Sequence, residues 1–115
     1  MTQRFRPGQH IRRRSEFLRV YEHGRKVHGR LLTVFVLPTD LDTSRLGISA
    51  TRKFGGAVQR NLAKRRIREV FRRQVPRPAC DVVVVPKSGF LDAHYSAVDH
   101  EFQALLRRAA RPGRR

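Results

Sequence analysis

Acidic residues are scarce in this chain. Nine Asp and Glu stand against 26 Lys and Arg, giving a formal net charge of +17 and a pI near 11.8. Self-repulsion on that scale opposes compaction unless a polyanion neutralises it, so nucleic acid is the first candidate partner and an anionic membrane surface the second. Lysine is scarce too: of the cations, 22 are Arg and 4 are Lys. Arginine offers a planar fork that binds phosphate bidentately and stacks on bases; a codon composition rich in arginine explains the bias equally well. Cys80 is the only cysteine, which excludes an internal disulfide, gives a zinc site no support and fits a reducing, cytoplasmic setting. No apolar run approaches the roughly 18 residues needed to span a membrane. The stretch "MTQRFRPGQHIRRR" lacks the apolar region of a secretory signal.

Catalytic constellations are also missing. A protein nuclease needs clustered carboxylates for metals or paired histidines for acid–base work. Asp40 and Asp42 are close, but they lie in "PTDLDTS", whose composition is that of a turn. His10, His23, His28, His94 and His100 are dispersed. "PKSG", Pro86–Gly89, lacks the upstream glycine of a phosphate loop and reads as a strand-to-helix turn, with Lys87 left as a possible phosphate contact. No catalytic residue, protein-bound metal or cofactor is expected.

What is present suits a single domain, residues 1–115, with 1–13 and 111–115 flexible. "RSEFLRVYEHG" predicts a short helix capped by Ser15, with Phe17, Leu18 and Tyr21 on one side and Gly24 as its stop. "LLTVFVL", residues 31–37, predicts a strand, preceded by an optional short one at 26–28. After the turn, "RLGISAT", residues 45–51, predicts a strand paired with the first as a hairpin. Phe54-Gly55-Gly56 breaks it. A helix is predicted over 57–74, stopped by Pro76 and Pro78. "CDVVVV" predicts a buried strand closed by Pro86, and the segment from Asp92 or Ser96 to Ala110 a last helix. The order α-β-β-(β)-α-β-α gives an α+β fold, a single-domain α/β sandwich.

The helix over 57–74 has two faces on a wheel of ~100° per residue. Ala63, Ile67, Val70 and Phe71 form an apolar side. Asn61, Lys64, Arg65, Arg68 and Arg72 form a stripe along roughly 16 Å of axis, and Glu69 lies off it. Such a sorted segment is a packed helix rather than a basic tail; its outer face is either an ordinary solvated one or a surface for phosphates. In the strands, Leu32, Val34, Val36, Leu46, Ile48 and Ala50 alternate with Thr33, Phe35, Gly47, Ser49 and Thr51. The first set is the core. The second suits a base stacked on Phe35 with hydroxyls nearby, or places Phe35 under the first helix against Phe17.

The stretch "RLGISATRKFGGAVQRNLAKRRIREVFR", with Lys53, Gly55, Ala57, Val58, Arg60, Asn61, Lys64, Arg65, Arg68 and Glu69, closely resembles the bacterial ribonuclease P protein family. "SEFLRVYEHG", "GRLLTVFV" and "DVVVVPKSG" match it in order and spacing, so that the resemblance covers about residues 10–108. Leu62 stands where the family often has arginine and Gly56 where it often has asparagine. The resemblance implies a ribosomal-protein-like sandwich with a left-handed βαβ crossover. It implies a protein subunit that binds a catalytic RNA and the 5′ leader of precursor tRNA, the RNA holding the required magnesium. By matching position, the basic helix with Lys53, Arg60 and Arg72 would face RNA. Phe17, Tyr21, Thr33, Phe35 and Ser49 would form the leader cleft, with Arg60 at its edge. A ribosomal structural protein or general RNA-binding protein is the alternative; a stand-alone nuclease lacks the carboxylates.

Overall fold

The structure, a computed structural model, describes residues 10–76 and 78–110. The expected flexibility of 1–9 and 111–115 lies outside the described residues. Three helices and four strands follow in the order α1 (Arg14–His23), β1 (Arg25–His28), β2 (Leu32–Pro38), β3 (Arg45–Ile48), α2 (Ala57–Arg73), β4 (Cys80–Pro86) and α3 (Tyr95–Ala110). A single 3-10 turn, Phe90–Asp92, precedes α3.

The four strands form one sheet in the order β1-β2-β4-β3. β2 and β3 are therefore not a hairpin, as their proximity in sequence had indicated. β4 lies between them, antiparallel to β2 and parallel to β3, with Val34 opposite Val84 and Leu46 beside Val82. The reason is burial: Val82, Val83 and Val84 are wholly buried, and only a central strand covered on both faces satisfies such a run. α2 makes the crossover from β3 to β4. The hairpin that does form joins β1 to β2, with His28 opposite Thr33.

Two apolar clusters flank the sheet. On one face Ala63, Ile67, Val70 and Phe71 of α2 and Val98, Phe102 and Leu105 of α3 close over Leu32, Val34, Leu46, Val82 and Val84. The other face is also packed. Val20 of α1 joins Ile11 and Val83, with Phe17, Tyr21, Phe35, Leu37 and Val85 around them. Ile11 belongs to the stretch expected to be loose. Instead its N–H donates to the Leu46 carbonyl at 2.9 Å, and His10 bridges Leu46 in parallel, extending the sheet past β3. Burial of the Ile11 side chain offsets the ordering of this segment.

α1 starts one residue before Ser15, which does not cap it; the N-cap is Arg13, whose N–H donates to the Glu16 carboxylate at 3.5 Å. Glu16 is held in place by Arg45 of β3. The Arg45 guanidinium donates to both Asp81 oxygens, at 2.9 and 2.7 Å, and to Glu16 at 3.0 Å. Asp81 is 2% exposed, so this fork lies at the base of α1 rather than in open solvent. At the opposite end of the sheet Glu101 of α3 accepts the N–H groups of Arg30, Leu31 and Leu32, fixing the β1–β2 turn. Lys87, considered as a phosphate contact, donates its ammonium to the Gly29 carbonyl at 2.6 Å, because that turn lies over the end of β4.

The hydrogen bond from Arg45 holds the Glu16 carboxyl below its ordinary value of 4.5. A carboxyl depressed in the folded state contributes stability that is complete above the unfolded-state value and fades as pH falls through the folded-state value. The melting temperature of the wild type should exceed that of Glu16→Gln by a constant margin near neutral pH, and the margin should close below about pH 4.5. A margin that persists undiminished to ~pH 3 would show that the Glu16 charge has no part in holding α1.

Candidate nucleic-acid interface

α1, β3 and α2 do not meet along their whole lengths, and the space between them is a trough. Its first part, about 440 Å³, is lined by Phe17, Leu18 and Tyr21 of α1, by Ile48, Ser49 and Ala50, and by Arg12, Arg14 and Lys64. The adjoining part, about 550 Å³, is lined by His10, Ile11, Arg12, Phe17, Leu46, Ile48, Lys64 and Arg68. Arg12, Phe17, Ile48 and Lys64 line both, so the two are continuous. The floor is apolar and aromatic, and among the described residues the rim carries four cations and no carboxylate lines either part.

The floor depends on Gly47. A Cβ there would lie 2.9 Å from Cε1 and Cζ of Phe17 and 3.1 Å from Cβ of Ile11, so the Phe17 ring rests directly on the β3 backbone. Tyr21, one turn further on, has its ring centroid 6.4 Å from that of Phe17. Together they present a stepped aromatic surface of the kind on which unpaired bases stack.

Of the five residues assigned to a cleft from sequence, Phe17, Tyr21 and Ser49 come together in the trough. Thr33 and Phe35 do not line it. Thr33 is 6% exposed, and its hydroxyl lies 3.2 Å from Nδ1 of His28, its cross-strand neighbour. Phe35 is half-buried, set edge-on to Tyr21 at 4.8 Å with the Lys26 ammonium 5.5 Å from its ring centroid. It packs against Tyr21 outside the trough.

The basic helix is likewise divided. Its apolar side packs as the wheel indicated, with Ala63, Ile67, Val70 and Phe71 buried. Lys64 and Arg68 form the trough's α2 wall, whereas Asn61 and Arg65 point to solvent. Lys53 is exposed in the turn before the helix. Arg60 turns back to donate to the Gly55 carbonyl at 2.9 Å, bracing the turn that leads into α2. Arg72 pairs with Glu69, correcting the reading that Glu69 lies off the stripe; three-residue spacing brings the two together on one face. Arg66 and Arg73 face away, toward the Leu91 carbonyl and the Tyr95 ring.

Sequence reasoning missed His10, Arg12, Arg14, Leu18, Ile48 and Ala50 as lining residues. The available signal was Ile11: an apolar residue ahead of three arginines anchors them beside the sheet. Among the described residues, no three His, Cys, Asp or Glu side chains gather as a metal-ligand group, and no helix is long and apolar enough to cross a membrane.

An aromatic floor, a cationic rim and a basic helix on a small mixed sheet define an RNA-binding α+β protein. Residues 5–110 match the family model described as Ribonuclease P. The ribonuclease P protein component of Syntrophus aciditrophicus is 38% identical over 100 residues, spanning 85% of this chain and 84% of that protein. That of Desulfovibrio desulfuricans is 43% identical over 108 residues, spanning 88% and 82%. The solved RNase P protein from Thermotoga maritima shares the fold at a TM-score of 0.78 and 33% identity, over 90% of this chain and 98% of that one. The chain belongs to the ribonuclease P protein family, as an RNA-binding subunit of the endoribonuclease holoenzyme that matures the 5′ end of tRNA. These matches do not favour the ribosomal alternative.

The outer cations should bind phosphates of ribonuclease P RNA. Replacing the exposed Lys53 and Arg65 together by Gln removes two candidate contacts, and the log–log salt slope of RNA binding should become shallower by roughly 1.4–1.8. Gln at Arg66 and Arg73 should change it less, because Arg66 is turned toward the 3-10 turn and Arg73 toward α3. Equal changes from the two pairs would mean that overall charge, not a defined face, governs association.

Proposed function

We propose that the trough holds the single-stranded 5′ leader of precursor tRNA, while Asn61, Arg65 and neighbouring cations of the exposed stripe face the ribonuclease P RNA. Bases of the leader stack on Phe17 and Tyr21, Ser49 offers a hydroxyl to a base edge or ribose, and Arg12, Arg14, Lys64 and Arg68 meet the phosphates. The observation that carries this reading is the pairing of an aromatic floor with a cationic rim in one continuous channel. A leader is unpaired, so its bases are available for stacking where those of a duplex are not.

The protein's share of the work is then binding and orientation. Holding the leader adds interaction energy that mature tRNA cannot supply, which distinguishes substrate from product. Cleavage itself falls to the RNA, which also holds the magnesium ions the reaction requires. The setting is the cytoplasm, which suits a chain with a single free thiol.

The test is substrate discrimination by reconstituted holoenzyme. Base–aromatic stacking contributes about 1–3 kcal/mol per base. Phe17→Ala should therefore weaken binding of leader-bearing precursor tRNA by roughly 5- to 150-fold, and leave binding of leaderless tRNA nearly unchanged. Phe35→Ala, by contrast, should act mainly on the melting temperature. Equal loss for both substrates in a folded Phe17→Ala holoenzyme would refute the trough as leader site. Cleavage of precursor tRNA by RNA-free protein would refute the division of labour.

A further inference from the structure

His10 lies where the trough meets the edge of the sheet. The parallel bridge to Leu46 fixes its backbone, and the Ile11 N–H bond to the Leu46 carbonyl secures the next residue at 2.9 Å. Its side chain therefore faces the channel from a held position. The charged groups that line its part of the channel are Arg12 from its own segment and Lys64 and Arg68 from α2, with Arg14 in the adjoining part. β3 contributes Leu46 and Ile48 there, and α1 contributes Phe17. No carboxylate is among them.

We propose that His10 is a phosphate-binding residue of the trough, taking up a proton from solvent as an RNA phosphodiester enters between it and Arg68. The inference rests on the trough's binding RNA and adds a named contact and a titration to that reading. In the free protein, burial lowers the readiness of His10 to protonate, and the cations Arg12 and Arg68 lower it further. A phosphate placed among these groups reverses the balance. Its negative charge opposes the field of Arg12 and Arg68, and its oxygens accept from the imidazolium. The free state disfavours the charged form of His10 and the bound state favours it, so binding and protonation reinforce each other. Affinity must then rise as pH falls through the interval between the free and bound pKa values. One proton limits the gain to about tenfold per pH unit.

The phosphate could belong to the leader or to ribonuclease P RNA, and separate titrations distinguish them. Holoenzyme is titrated with leader-bearing and with leaderless tRNA, and protein with ribonuclease P RNA, each between about pH 6 and pH 8 in buffers of constant ionic strength. Wild-type affinity for the RNA that enters the trough should increase roughly 3- to 10-fold across that range as pH falls. Calorimetry in buffers of different ionisation enthalpy should register net proton uptake. His10→Gln should bind that RNA with a flatter pH profile, matching wild type at the alkaline end and falling behind at the acid end. His10→Lys, charged throughout, should bind tightly at every pH. A pH dependence that His10→Gln leaves intact, with a melting temperature equal to wild type, would overturn the proposal. If Phe17→Ala weakens binding of leader-bearing but not of leaderless tRNA in that case, the trough remains a leader site and only the role of His10 is lost.

Discussion

Arg45 is the point on which this structure turns. A helix as short as α1 has only ten residues and a single wholly buried side chain, Val20, with which to hold the sheet. The arginine fork adds direction to that weak apolar hold. Its two bonds to Asp81 fix the guanidinium plane against β4, and the remaining one reaches Glu16 in the first turn of α1. Partly buried ion pairs cost desolvation and are a poor source of net stability; their effect here is geometric. With its first turn tied to β3 and β4, α1 crosses the sheet at a set height, and the gap between α1 and α2 becomes a channel with fixed walls.

The scarcity of acid has a structural counterpart. Glu16 and Asp81 are joined to Arg45, Glu101 to three backbone N–H groups, Glu69 to Arg72 and Asp99 to Gln74. These five carboxylates thus serve as joints of the fold, away from the channel. The cations of the rim face one another across low-lying apolar residues, an arrangement that raises the local positive potential and draws polyanions toward it.

Local periodicity made the helices legible. Ala63, Ile67, Val70 and Phe71 repeat at helical spacing, and burial on the sheet follows directly from that pattern. Strand order was not legible, because it depends on which strand needs cover on both faces, a property of the assembled layers. The run of valines in β4 carried the information, yet the short turn between β2 and β3 pointed to a hairpin. The site shows the same division. Phe17, Tyr21, Ser49, Lys64 and Arg68 could each be named, but as members of two surfaces, one on the helix and one on the sheet. Only the parallel placement of β3 beside β4, with α2 returning across the opposite face, makes them the sides of one channel. His10 and Arg12 were hidden because a single buried isoleucine gives no periodic signal.

Gly47 gives that channel an unusual kind of control. Its depth is a negative cast: the floor is low because one position of β3 has no side chain to lift the ring above it. A cast of this sort has a hard stop. Changes on the rim can widen or narrow the opening by degrees, but any replacement at Gly47 acts in one direction only, raising the floor and making the channel shallower. The depth of the channel is thus encoded by the smallest residue in the strand.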